Sequence, residues 1–147
     1  MKRNLLAALA VALLLALALW RVDGGRRMLR ASRLVAAVER RTAAALRLGK
    51  LQSSMFESHL AALREAAELD RGEIAIPIAE GSQYLLLGRA EPAIEAYRRA
   101  LALEPRPETY LNLGKAMLLE GENQRAQRMF RKAVLLDPRL ASFVPRP

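Results

Sequence analysis

The chain has 147 residues, 52% hydrophobic and 5% aromatic, with no cysteine, one histidine and a formal net charge of +9. That composition excludes a disulfide framework and any thiolate or multi-histidine metal centre. The positive charge would suit a nucleic acid or an anionic surface, but it is unevenly placed: residues 34–106 hold ten basic and ten acidic side chains, and the excess lies outside them.

Met1-Lys2-Arg3-Asn4 opens the chain, and an apolar run from Leu5 to Trp20 follows without a charge, glycine or proline. Leucine and alanine dominate it, so it reads as a helix. A spanning helix needs roughly 17–25 residues, which puts this run at the short end. Trp20 and Arg21 make an aromatic anchor beside a cation, as at a membrane interface. A helix apolar on every side needs a larger core than this chain offers, so residues 1–22 are expected to be a retained transmembrane anchor. A cleaved signal, with Ala16-Leu17-Ala18 as its small-x-small site, is the alternative. Without cysteine there is no lipid-modified N-terminus.

Asp23-Gly24-Gly25 predicts a helix break after the anchor, and residues 23–33 read as a basic neck. Arg21, Arg26, Arg27, Arg30 and Arg33 are its candidate membrane-surface residues, facing anionic lipid headgroups at about 1 kcal/mol per cation. The competing reading is a solvated helix face. The same arginines favour a cytoplasmic C-terminal side by the positive-inside rule, whereas the short basic start is that of a bacterial signal-anchor and favours export. The expectation is a single-pass bacterial inner-membrane protein with its C-terminal part leaning to the extracytoplasmic side.

Residues 34–73 suggest a helix over Leu34–Leu48, a turn at Leu48-Gly49-Lys50 and a second helix that runs through Leu60–Leu69. His59 lies on it as a structural or surface histidine, and Glu65 and Glu68 read as helix surface charges. No paired carboxylates, phosphate loop or nucleophile–base set appears, so neither an enzyme nor a cofactor is expected. No aromatic platform, zinc spacing or recognition helix supports nucleic-acid binding.

From residue 74 the sequence repeats with a period of 33. Ala93, Tyr97, Ala100 and Pro105 return as Ala126, Phe130, Ala133 and Pro138, and Gly81 and Gly88 return as Gly114 and Gly121. The glycines at 81 and 114 fall mid-helix, where they permit close approach of a paired helix. Those at 88 and 121 fall where a helix ends in a left-handed residue. Tyr97 and Phe130 are the space-filling aromatics, and Pro105 and Pro138 stop the second helices. This set of small, aromatic and proline positions resembles the tetratricopeptide repeat, whose usual period is about 34. Two copies are delimited, 74–106 and 107–140, with a tail at 141–147. Pro77 and Glu80 stand where the second copy has Tyr110 and Leu113, so the first copy is the less regular. Pro77 requires its helix to begin nearby. About three helix pairs are needed for a stable stack, and residues 34–73 are expected to supply the third as a degenerate repeat or helical hairpin. The fold class is all-α: an N-terminal transmembrane helix followed by a short helix-turn-helix array.

The resemblance implies a protein-binding groove lined by the first helix of each pair. Its candidate residues are Ile78, Ser82, Leu85 and Leu86, then Leu111, Lys115, Leu118 and Leu119. Asn112 and Lys115 are similar to the asparagine and lysine with which some relatives grip a peptide carboxylate, but the leucines suggest an apolar groove. The implied function is a membrane-anchored scaffold or assembly factor for a bacterial membrane complex. An accessory subunit buried in a larger complex and a secreted adaptor are the alternatives. Arg125, Arg128, Arg131 and Lys132 make a basic face on the last helix, and only Leu140, Phe143 and Val144 are available to cover that pair. A partner or a second copy is expected there, so homo-oligomerisation stays open.

Overall fold

The computed structural model describes the backbone of residues 2–145 and the side chains of residues 12–145. Six helices, α1 (Lys2–Arg47), α2 (Ser53–Leu69), α3 (Ala75–Leu86), α4 (Ala90–Leu103), α5 (Pro107–Leu119) and α6 (Asn123–Leu136), are followed by a 3₁₀ helix, Pro138–Phe143. They stack as three antiparallel pairs, α1 with α2, α3 with α4 and α5 with α6. The first helices also touch along one side, α1 against α3 and α3 against α5, which gives them a shared face.

The break expected at Asp23-Gly24-Gly25 does not occur: α1 is one continuous helix of 46 residues. Two glycines disfavour a helix by about 1 kcal/mol each, but strong helix formers on both sides and the absence of proline carry it through. A Cβ added at either glycine would meet nothing within 4 Å, so neither is there for close packing. From Ala12 to Arg30 the side chains of α1 are almost all exposed, including Trp20 at 74%, and the first buried residue is Ala31. Among the described residues no helix is long and apolar enough to cross a membrane. The side chains of the run up to Val11 lie outside them.

Beyond Ala31, Val35, Val38 and Thr42 recur on one face of α1 and are buried. Val35 and Val38 share a core with Leu63 and Ala66 of α2 and Ile76 and Ala79 of α3. The C-terminal part of α1 and α2 thus form a helix pair, whose first helix is continuous with the N-terminal segment. The three pairs share one turn. Gly49, Gly88 and Gly121 all have positive φ, at 62°, 69° and 83°. After each, the next amide reaches back to a helix carbonyl: Lys50 to Ala45, Arg89 to Tyr84 and Glu122 to Met117, each at 2.9 Å.

The second core is built around the repeated aromatics. Tyr97 and Phe130 pack with Ile94, Leu113, Met117 and Leu140. Each ring lies over the glycine of its own pair: a Cβ at Gly81 would sit 2.7 Å from the Tyr97 ring, and one at Gly114 would sit 2.5 Å from that of Phe130. The aromatics thus lock the two helices of a pair together as well as filling space between pairs. Pro77 is the third residue of α3, in the first turn, as its missing N–H demands.

Glu80, in the place of Leu113, is buried and receives a hydrogen bond from Arg99 of α4 at 2.6 Å. Removing Arg99 alone strands a buried carboxylate, whereas Glu80→Leu restores the apolar residue of the second copy. Arg99 is 62% exposed, so solvent screens the pair and moderates its loss. Arg99→Leu is expected to destabilise by about 1–2 kcal/mol, and Arg99→Leu with Glu80→Leu by less than the two single effects summed. Chemical denaturation of the four proteins of this cycle measures it.

Candidate protein-binding groove

The turn geometry aligns the first helices residue by residue. With Gly49, Gly88 and Gly121 superposed in register, Thr42 stands where the other pairs have Gly81 and Gly114, and Leu46 matches Leu85 and Leu118. The groove face therefore has three walls, α1, α3 and α5.

Ile78 and Ser82 line a shallow depression of about 220 Å³ between α1 and α3, whose other wall is Glu39, Thr42, Ala43 and Leu46. Ser82 donates its hydroxyl to the Ile78 carbonyl at 3.0 Å and lies 3.2 Å from the Tyr97 phenol oxygen. Burial pushes that phenol above its ordinary pKa, and the Ser82 hydroxyl pulls it back. Ser82 thus positions Tyr97 as well as lining the face. Leu86, Leu118 and Leu119 are exposed, and with Leu46 they form an apolar edge at the C-terminal ends of the three first helices. Lys115 and Leu85 are half-buried, and Leu85 packs against the core. Leu111 corrects the expectation: it is 5% exposed and belongs to the core with Ile94 and Tyr97, because α5 packs against α4. The groove residues of α1 were missed by sequence reasoning. The turn at Gly49 was legible, but the longer gap before α2 hides its register with Gly88 and Gly121.

Beneath this face lies a buried polar cluster. His59 Nδ1 is 3.2 Å from Thr42 Oγ1 and 3.0 Å from Gln83 Oε1, and Gln83 Nε2 donates to Thr42 Oγ1 at 3.2 Å. His59 is 1% exposed. Thr42 occupies the register position of Gly81, and His59 that of Ala93, counting back from the shared Ala66 and Ala100. The small residues that let other pairs approach are replaced here by groups that hydrogen-bond, and this is why the first pair is hard to see in the sequence. His59 is structural, and among the described residues no group of acidic or histidine side chains could hold a metal.

The arginines of the neck run along α1. Arg30 pairs with Glu65, and Arg27 reaches the Glu68 carbonyl at 3.4 Å; Arg21, Arg26 and Arg33 are exposed with no ion pair among the described residues. The second-helix ends also repeat their chemistry. Arg106 holds the Glu104 carboxyl, and Arg139 that of Asp137, below the usual carboxylate range, with each pair at 2.9 Å.

These features define an all-α helical-repeat protein. Residues 81–121 match a model described as TPR repeat, and residues 107–140 one described as tetratricopeptide repeat, so this part of the chain carries tetratricopeptide repeats. No curated protein matches the sequence. Among solved structures, the first TPR domain of human RPAP3 is similar with a TM-score of 0.63 at 17% identity, over 74% of this chain and 80% of that one. The second TPR of Spaghetti (RPAP3), bound to the HSP90 peptide SRMEEVD, gives 0.62 at 17% identity, over 78% and 97%. A thermophilic TPR protein of Thermus thermophilus gives 0.55 at 28% identity, over 78% and 57%. The RPAP3 likenesses establish the fold.

Proposed function

We propose that this chain is a non-enzymatic adaptor, held at a bacterial inner membrane by its N-terminal helix, that binds a protein segment on the face formed by α1, α3 and α5. It acts as a scaffold or assembly factor. The carrying observation is the exposed leucine edge, Leu46, Leu86, Leu118 and Leu119, on the helices that line that face. The RPAP3 neighbour holding an HSP90 peptide lends support, as does a second holding an HSP70 peptide. Leucines outnumber cations on this face, so the favoured ligand presents apolar side chains rather than only a carboxylate.

The apolar run Leu5–Trp20 supports anchoring, because the large apolar side chains of its described part, Leu13 to Trp20, are exposed. Arg21, Arg26 and Arg33 then lie at the headgroups, and the repeats stand on the extracytoplasmic side. Leu13→Arg puts a charge in the run, which disfavours insertion by about 2.5–3.5 kcal/mol. Retention of that variant in membranes after salt and alkaline washing would sink the anchor, and protease protection in spheroplasts would place the repeats inside. For the groove, proteins that co-purify from mild detergent should be lost in Leu86→Glu/Leu119→Glu and kept in Glu91→Lys. An unchanged set would remove the groove assignment.

A further inference from the structure

The last helix pair presents a slot that the internal repeat identifies. In the middle of the chain, α5 packs against α4. Thirty-three residues on, Tyr97, Arg98, Leu101 and Pro105 of α4 and its stop become Phe130, Arg131, Val134 and Pro138. Among the described residues, the place on α6 equivalent to that of α5 on α4 is taken by the 3₁₀ helix Pro138–Phe143, which buries Leu140 and leaves Phe143 61% exposed. What remains is an open groove of about 610 Å³, lined by Phe130, Val134, Leu135, Pro138, Ala141 and Val144, with Gln127 and Arg131 at its side. Leu135 is 84% exposed.

The charge around the slot selects its occupant. Helix α6 carries Arg125, Arg128, Arg131 and Lys132 and no acidic residue, whereas α4 balances Arg98 and Arg99 with Glu91 and Glu95. Arg125 is paired with Glu122, and Lys132 sits over the Tyr110 ring at 5.4 Å. Arg128 and Arg131 have no ion pair among the described residues. A second copy would bring a net charge of +9 to this face, and its α1 is itself rich in arginine. We infer that the α6 groove is a second docking site, separate from the α1–α3–α5 face, for an amphipathic helix of a partner protein with an apolar stripe flanked by Asp or Glu. That helix takes the place α5 takes on α4, and its acids meet Arg128 and Arg131.

Two labelled synthetic helical peptides with the same leucine stripe, one flanked by Glu and one by Lys, test this by fluorescence anisotropy. The protein is the full chain in non-ionic detergent, with binding to micelles alone subtracted. The Glu-flanked peptide is expected to bind about tenfold tighter than the Lys-flanked one, with the difference shrinking as salt rises. Arg128→Glu/Arg131→Glu should reverse the preference. Leu135→Glu, at an exposed position that does not threaten folding, should weaken the Glu-flanked peptide about tenfold. Leu86→Glu/Leu119→Glu should leave it unchanged, which separates this site from the proposed groove. Equal binding of the two peptides, loss with the Leu86/Leu119 variant alone, or self-association abolished by Leu135→Glu would each overturn the assignment.

Discussion

Gly114→Leu is expected to lower stability by about 3 kcal/mol or more, because overpacking has nowhere to go. A Cβ there already lies 2.5 Å from Phe130, and that ring is held in a core where Ala126, Ala133 and Met117 are also packed. An aromatic ring cannot yield as a flexible chain end does. For a chain of about 150 residues, about 1 kcal/mol moves the thermal midpoint by about 2–4 °C, so a loss of this size is readable on a melting curve. Gly114→Ala should show a smaller version of the same effect, and Phe130→Leu should partly relieve it. Circular dichroism melting of the three variants and the double mutant reads both the loss and the coupling. A Gly114→Leu midpoint equal to the parent's would remove the ring-over-glycine contact as a stabilising feature.

The second large effect is expected at His59. His59→Ala removes a buried side chain and leaves Thr42 and Gln83 without their histidine partner, between α1, α2 and α3. Thr42 and Gln83 still bond each other, but the Gln83 side-chain carbonyl loses its nearest partner, at about 1 kcal/mol. The cavity left by the ring adds to it, so the total is about 2–4 kcal/mol. Replacing the whole cluster with apolar residues, Thr42→Val, His59→Leu and Gln83→Leu, should be milder than the single change, because no polar group is then stranded. Amide hydrogen exchange localises the outcome. Residues 31–47 of α1 should lose protection in His59→Ala while α5 and α6 keep theirs. Uniform loss across all six helices would show that the first pair is not a separable unit.

Much of the architecture was legible in the residues alone. The period of 33, the mid-helix glycines, the aromatics four residues after Ala93 and Ala126, and the prolines at 105 and 138 specify local geometry that a stacked helix pair satisfies. Gly88 and Gly121 end their helices in the left-handed conformation for the same local reason. Such signals survive in sequence because each depends on one residue's own backbone or volume. Other features depend on neighbours distant in the chain. The continuity of α1 through Gly24 and Gly25 is a balance between two weak local penalties and a long run of helix formers, which a breaker motif read in isolation misjudges. The first pair is concealed because Thr42 and His59 replace small residues, and their fitness appears only when Gln83 arrives from α3. Glu80 reads as a flaw until Arg99 is placed beside it. Leu111 reads as groove-lining until α4 covers it. Local residue chemistry therefore specifies the helices and turns of the two regular repeats. Which side chains are left for a partner is settled by packing, because exposure belongs to the assembled stack and not to any one helix.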